Sequence, residues 1–90
     1  MDEISKAADR RVSAISVDCL FEPDGQVRVR RIGFDGRWQS VGQGRQWLDG
    51  DGRHVLVMLP NKQTAELLLR ANSLTWEFRP RRPVFPEILA

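Results

Sequence analysis

From Val12 to Phe78 apolar side chains recur at every second position, in short runs divided by turn residues, and that period constrains the fold more than any other feature. Ile15, Val17, Cys19 and Phe21 alternate with Ser16, Asp18 and Leu20, the pattern of a half-buried strand. Glu22-Pro23-Asp24-Gly25 then reads as a turn: Pro presets φ, Asp bonds its own backbone and Gly accepts positive φ. In the next strand Val27 and Val29 take one face and Arg28 and Arg30 the other. At Ile32 the apolar parity shifts from odd to even, as a β-bulge near Arg30-Arg31 would produce.

Gly33 to Trp38 signals a hairpin with two admissible registers. A two-residue Asp35-Gly36 turn pairs Phe34 with Arg37 and Gly33 with Trp38. A three-residue loop pairs Ile32 with Trp38 and gathers two large apolar groups on one face, which favours it. The third strand runs to about Val41, Gly42-Gln43-Gly44 is a flexible break and Asp49-Gly50-Asp51-Gly52 is a loop. Arg53 to Leu59, Ala65 to Arg70 and Leu74 to Arg79 read as three consecutive strands. Short loops between them pair Leu59 with Ala65, Val57 with Leu67, Val55 with Leu69, and then Leu69 with Leu74, Leu67 with Trp76 and Ala65 with Phe78. That register sets Glu66 opposite Glu77, an unfavourable like-charge pair.

The expected fold is all-β, a small antiparallel barrel or sandwich of about six short strands. The high helix propensity of Ala65-Glu66-Leu67-Leu68-Leu69-Arg70 supports one rival, a β-rich α+β fold with a helix near 62–72. Residues 1–11 read as a frayed helix or disordered arm, 12–79 as the β-domain, and 80–90, spaced by Pro80, Pro83 and Pro86, as an extended tail.

The chain has 90 residues, enough for one small domain. No apolar run approaches the ~18–20 residues of a membrane helix, and the acidic Met1-Asp2-Glu3 start is unlike a signal peptide. Cys19 is the only cysteine, which rules out an intrachain disulfide and suits a reducing cytoplasm. It reads as a small buried hydrophobe. His54, the sole histidine, lies in an apolar strand and reads as a structural imidazole rather than a base. Asp49-Gly50-Asp51-Gly52 lacks the distal Glu of a calcium loop, and Gly42-x-Gly44 lacks the third Gly of a dinucleotide site. No catalytic residue, metal site or cofactor is expected.

Charge is unevenly placed. Residues 28–82 carry eleven cations against five anions, a net +6, and the remainder three against seven, a net −4. Arginine outnumbers lysine twelve to two. Its planar fork suits phosphates and stacks on bases, although a solvated surface accounts for many such arginines. Sheet faces that mix arginine with aromatics hold single strands by meeting phosphates with cations and bases with rings. The candidates are Arg28, Arg30, Arg31, Arg37, Trp47, Arg79, Arg81 and Arg82. Trp47, between two glycine-rich breaks, is the aromatic expected to be most exposed, with Trp38 and Trp76 in the core.

The run Phe34-x-Gly36-Arg37-Trp38-x-x-Val41, then Trp47, Val55-x-Val57, Leu67 and Trp76-x-Phe78, resembles short bacterial β-domains encoded beside, or fused to, Y-family translesion DNA polymerases. The likeness spans about residues 27–79, although family members often carry a tryptophan pair where this chain has Trp47 alone. It implies a DNA-repair protein as a partner and supplies no catalytic residue. The combined expectation is a non-catalytic module that touches single-stranded nucleic acid. The rival is a protein–protein or self-association module, such as a homodimer, that uses a sheet edge and the apolar tail.

Overall fold

A computed structural model describes residues 13–81. The expected arm at 1–11, nearly all of the tail, and Arg82 lie outside the described residues. Seven strands follow one another: β1 (Ser13–Phe21), β2 (Val27–Phe34), β3 (Arg37–Ser40), β4 (Gly42–Leu48), β5 (Gly52–Met58), β6 (Thr64–Arg70) and β7 (Trp76–Pro80). They form one antiparallel sheet in the order β3-β2-β1-β7-β6-β5-β4, curled into a half-barrel. The all-β expectation holds, with seven strands in place of about six. No helix forms over 62–72: Ala65 and Leu67 are fully buried on the inner face of β6, and that burial overrides local propensity.

The curl encloses Val27, Val29, Ile32, Val55, Val57, Ala65 and Leu67, with Ile15, Val17, Cys19, Trp76 and Phe78 packed around them. The bulge lies where the parity shift placed it. Cys19 pairs with Val29 and Asp18 with Arg31, so Arg30 is the extra residue, and Val27, Val29 and Ile32 all turn inward. The turn after β1 also forms as expected, with Gly25 at φ 90° and its N–H donating to the Glu22 carbonyl at 2.9 Å.

Three register expectations are corrected. The β2–β3 hairpin adopts the two-residue turn, pairing Gly33 with Trp38 and Phe34 with Arg37. Asp35 (φ 47°) and Gly36 (φ 78°) both have positive φ, as a primed turn requires. Phe34 meets Phe78 edge to face with centroids 4.9 Å apart, filling the inner side, so Trp38 goes to the outer face. In the last three strands the register slides by two residues. Val57 pairs with Ala65 and Val55 with Leu67, then Leu67 with Phe78 and Leu69 with Trp76. A slide of two preserves which side chains face in, because strand side chains alternate with period two. It does change the outer face: Glu66 lies opposite Arg79 rather than Glu77.

The flexible break expected at Gly42–Gly44 is part of β4. There Gly44 and Arg45 bulge opposite the single residue Leu56. At β5, Gly52 adopts φ 143°, and a Cβ on it would overlap the Leu69 carbonyl oxygen.

β3 and β4 occupy opposite ends of the sheet order yet are joined by Val41 alone. Where β2 runs past the end of β3, side chains of β4 replace the missing ladder. The Val27 N–H donates to Gln46 Oε1 at 2.9 Å and the Val29 N–H to Gln43 Oε1 at 2.7 Å. The Val27 carbonyl accepts from Gln43 Nε2 at 2.9 Å and Gln46 Nε2 at 2.8 Å. Two glutamines thus stitch the seam.

Candidate nucleic-acid interface

The β2–β3 hairpin carries four of the expected arginines, but Arg37 pairs with the inward-facing Phe34 and so points away from the outer face that Gly33 and Trp38 share. Arg28, Arg30 and Arg31 lie exposed on β2, and Arg37 opens β3. Trp38, expected in the core, stands 47% exposed on the outer face. Gly33 makes this possible: the indole lies across it so closely that a Cβ there would sit 3.2 Å from the ring. The Arg31 guanidinium stacks 5.0 Å from the Trp38 centroid, a cation–π pair. Asp18 accepts from Arg31 Nε at 2.9 Å, and Glu22 pairs with Arg28 at 3.1 Å. Among the described residues no carboxylate lies within ion-pair distance of Arg30, Arg37 or Arg45.

Arg79 does not join this group. It sits on β7, beyond β1, and donates through Nη2 to Glu77 at 3.2 Å. Arg70 holds the same carboxylate, from Nε at 2.7 Å and Nη2 at 3.3 Å. The Arg70 contact, with help from Arg79, holds the Glu77 carboxyl below its ordinary pKa despite burial. Arg81 is exposed just past β7, its backbone N–H donating to the Thr64 carbonyl at 3.2 Å. The eight-residue set therefore divides: Arg79 is committed to an ion pair, Arg81 is exposed and Arg82 lies outside the described residues.

Trp47, expected to be the most exposed aromatic, is half-buried on β4. It stacks on His54 across the β4–β5 pair, with centroids 4.8 Å apart and planes 3° apart. Arg45 places its guanidinium 5.2 Å from the Trp47 centroid, a second arginine–indole pair that the sequence reading missed. His54 is buried, as a structural imidazole should be, but on the outer face, with parity opposite to Val55. Its Nδ1 lies 2.5 Å from Glu66 Oε2 and its Nε2 2.8 Å from Asp49 Oδ1. Burial works against the charged ring, but the hydrogen bonds it donates to Glu66 and Asp49 outweigh that and raise the His54 pKa above the ordinary imidazole value.

Asp49, Asp51 and His54 form the one group among the described residues whose ligand atoms converge as a metal would need, all within 4.8 Å of one another. Both His54 nitrogens are already engaged by carboxylates, an arrangement that accommodates a proton on each. Burial of the Cys19 thiol, reinforced by the Asp18 charge, raises its pKa, which disfavours the nucleophilic thiolate. Among the described residues there is no helix long and apolar enough to cross a membrane. Comparison with protein-family models, with curated proteins and with solved structures finds no match.

Proposed function

We propose that this protein is a non-catalytic binding module whose β2–β3 outer face contacts single-stranded nucleic acid. The observation that carries the reading is the exposed Trp38, laid flat on Gly33 and capped by Arg31, with Arg28 and Arg30 exposed along the same strand β2. A stacked indole and guanidinium offer a base a flat, cationic platform, while the neighbouring arginines meet phosphates. The resemblance to β-domains beside translesion polymerases suits the same role and suggests a DNA-repair protein as neighbour.

Fluorescence anisotropy with a labelled oligothymidylate tests it. If Arg28, Arg30 and Arg31 each neutralise a phosphate, a fourfold rise in salt should weaken binding by about twentyfold. Trp38→Ala should weaken it about tenfold at fixed salt. Affinity weaker than ~100 μM at low salt, or indifferent to salt, would remove the proposal, since even non-specific binders hold nucleic acid at roughly 1–100 μM.

One observation favours the protein–protein alternative. Gly42 and Gly44 leave an apolar groove of about 350 Å³ over Leu56 and Met58, and Met58 is 49% exposed. Light scattering at two concentrations reads that alternative as a concentration-dependent mass.

A further inference from the structure

We infer that the bound strand does not end at Trp38 but continues along the β2–β4 seam to a second stacking platform made by Trp47 and Arg45. This rests on the proposed β2–β3 interface and extends it in length and in preferred ligand. β3 and β4 form almost one strand, so Trp38 and Trp47 are nine residue steps apart on a single run of chain. Both indoles face outward, Trp38 opposite Gly33 and Trp47 opposite the outward-facing His54. Each carries its own arginine, Arg31 at 5.0 Å and Arg45 at 5.2 Å.

The chain between the two platforms suits a phosphate backbone. An open cleft of about 570 Å³ lies at the seam, its walls including Arg28 with its partner Glu22, Gly44, Arg45 and the amide side chains of Gln43 and Gln46. No large side chain on β4 stands between Ser40 and Arg45, since Gly42 and Gly44 leave the main chain bare apart from Gln43, which is turned into the seam toward Val27 and Val29. At ~3.3 Å per residue the platforms are about 30 Å apart along the strand, or less with the bulge. At ~3.4 Å per stacked nucleotide that is about nine nucleotides, and fewer when the strand is extended. Stacking needs open base faces, so the track selects single strands over duplex.

The test compares oligothymidylates of four and ten nucleotides, and a ten-base-pair duplex, by anisotropy with the full chain. The track requires the ten-mer to bind at least about tenfold more tightly than the four-mer and the duplex. Arg45→Glu, at an exposed position, should cancel that advantage while leaving four-mer affinity within twofold. Trp47→Phe, which keeps a ring on His54, should reduce it in part. Equal affinity for four-mer and ten-mer, a duplex bound as tightly as the ten-mer, or a ten-mer indifferent to Arg45→Glu would each overturn the track and leave the Trp38 platform standing. Failure of both oligomers to bind would instead remove the platform itself.

Discussion

Replacing the seam glutamines gives the sharpest check on how this sheet holds its curl. Val27 is 2% exposed and Val29 5%, and the amides of both find acceptors only in glutamine side chains of β4. Gln46→Ala orphans the Val27 N–H, and Gln43→Ala orphans the Val29 N–H. A buried amide left unpaired costs about 1–3 kcal/mol. Because the adjoining cleft is open and admits water, the lower part of that range applies, about 1–2 kcal/mol for each variant. The Val27 carbonyl keeps one donor in either single variant but loses both in the double. The double loss should therefore exceed the sum of the singles by roughly 0.5–1.5 kcal/mol. Against a total stability of about 5–13 kcal/mol for a chain of 90 residues, urea unfolding followed by tryptophan fluorescence resolves such changes. Gln46→Met, similar in length but without the amide, should behave like the alanine variant. Two singles within ~0.5 kcal/mol of the parent and an additive double would refute the idea that these amides replace a strand ladder.

Two further outcomes are expected. Gly52→Ala adds a Cβ that overlaps the Leu69 carbonyl at a backbone φ of 143°, so it should cost roughly 3 kcal/mol or more, read by thermal melting; a loss below ~1 kcal/mol would contradict the packing. His54, whose folded pKa is raised, contributes stability that is complete below the unfolded imidazole value of about 6.5 and is lost as pH rises through the folded value. An NMR titration of its ring should show that upward shift, and Glu66→Gln should reduce it; a ring titrating at or below the ordinary value would count against the clamp.

Facing was legible in the sequence and pairing was not. Alternation placed Val55, Val57, Ala65 and Leu67 inward, and the odd-to-even shift at Ile32 located the bulge at Arg30. Register escaped because a slide of two keeps every side chain on its face, so hydrophobic pattern cannot choose between Val57 with Leu67 and Val57 with Ala65. The choice lies in the loops, where Lys62 (φ 71°) and Leu74 (φ 57°) take left-handed conformations that nothing in those residue types announces. Trp38 was misplaced for a related reason. Apolar company with Ile32 favours the three-residue loop, whereas Asp35-Gly36 carries the signal of a tight primed turn, which puts Trp38 over Gly33. The Arg28 to Arg31 group was readable because it is local. The Arg45–Trp47 pair, the glutamine stitches and the His54 clamp depend on a bulge and on partners up to nineteen residues away.

The one-residue link at Val41 also bears on how the molecule assembles. β1 to β3 and β4 to β7 are each made of neighbouring hairpins, so every pairing within them forms over a short loop. Among the strand ladders only β1 with β7 joins distant parts of the chain, and among the described residues it pairs Ser13 with Phe78, Ala14 with Glu77 and Ile15 with Trp76. Two quickly formed meanders hinged at a single residue then close on the β1–β7 ladder, the β2–β4 glutamine stitches and the Phe34–Phe78 contact, and the β1–β7 ladder, which shuts the longest loop, is the slow step in folding.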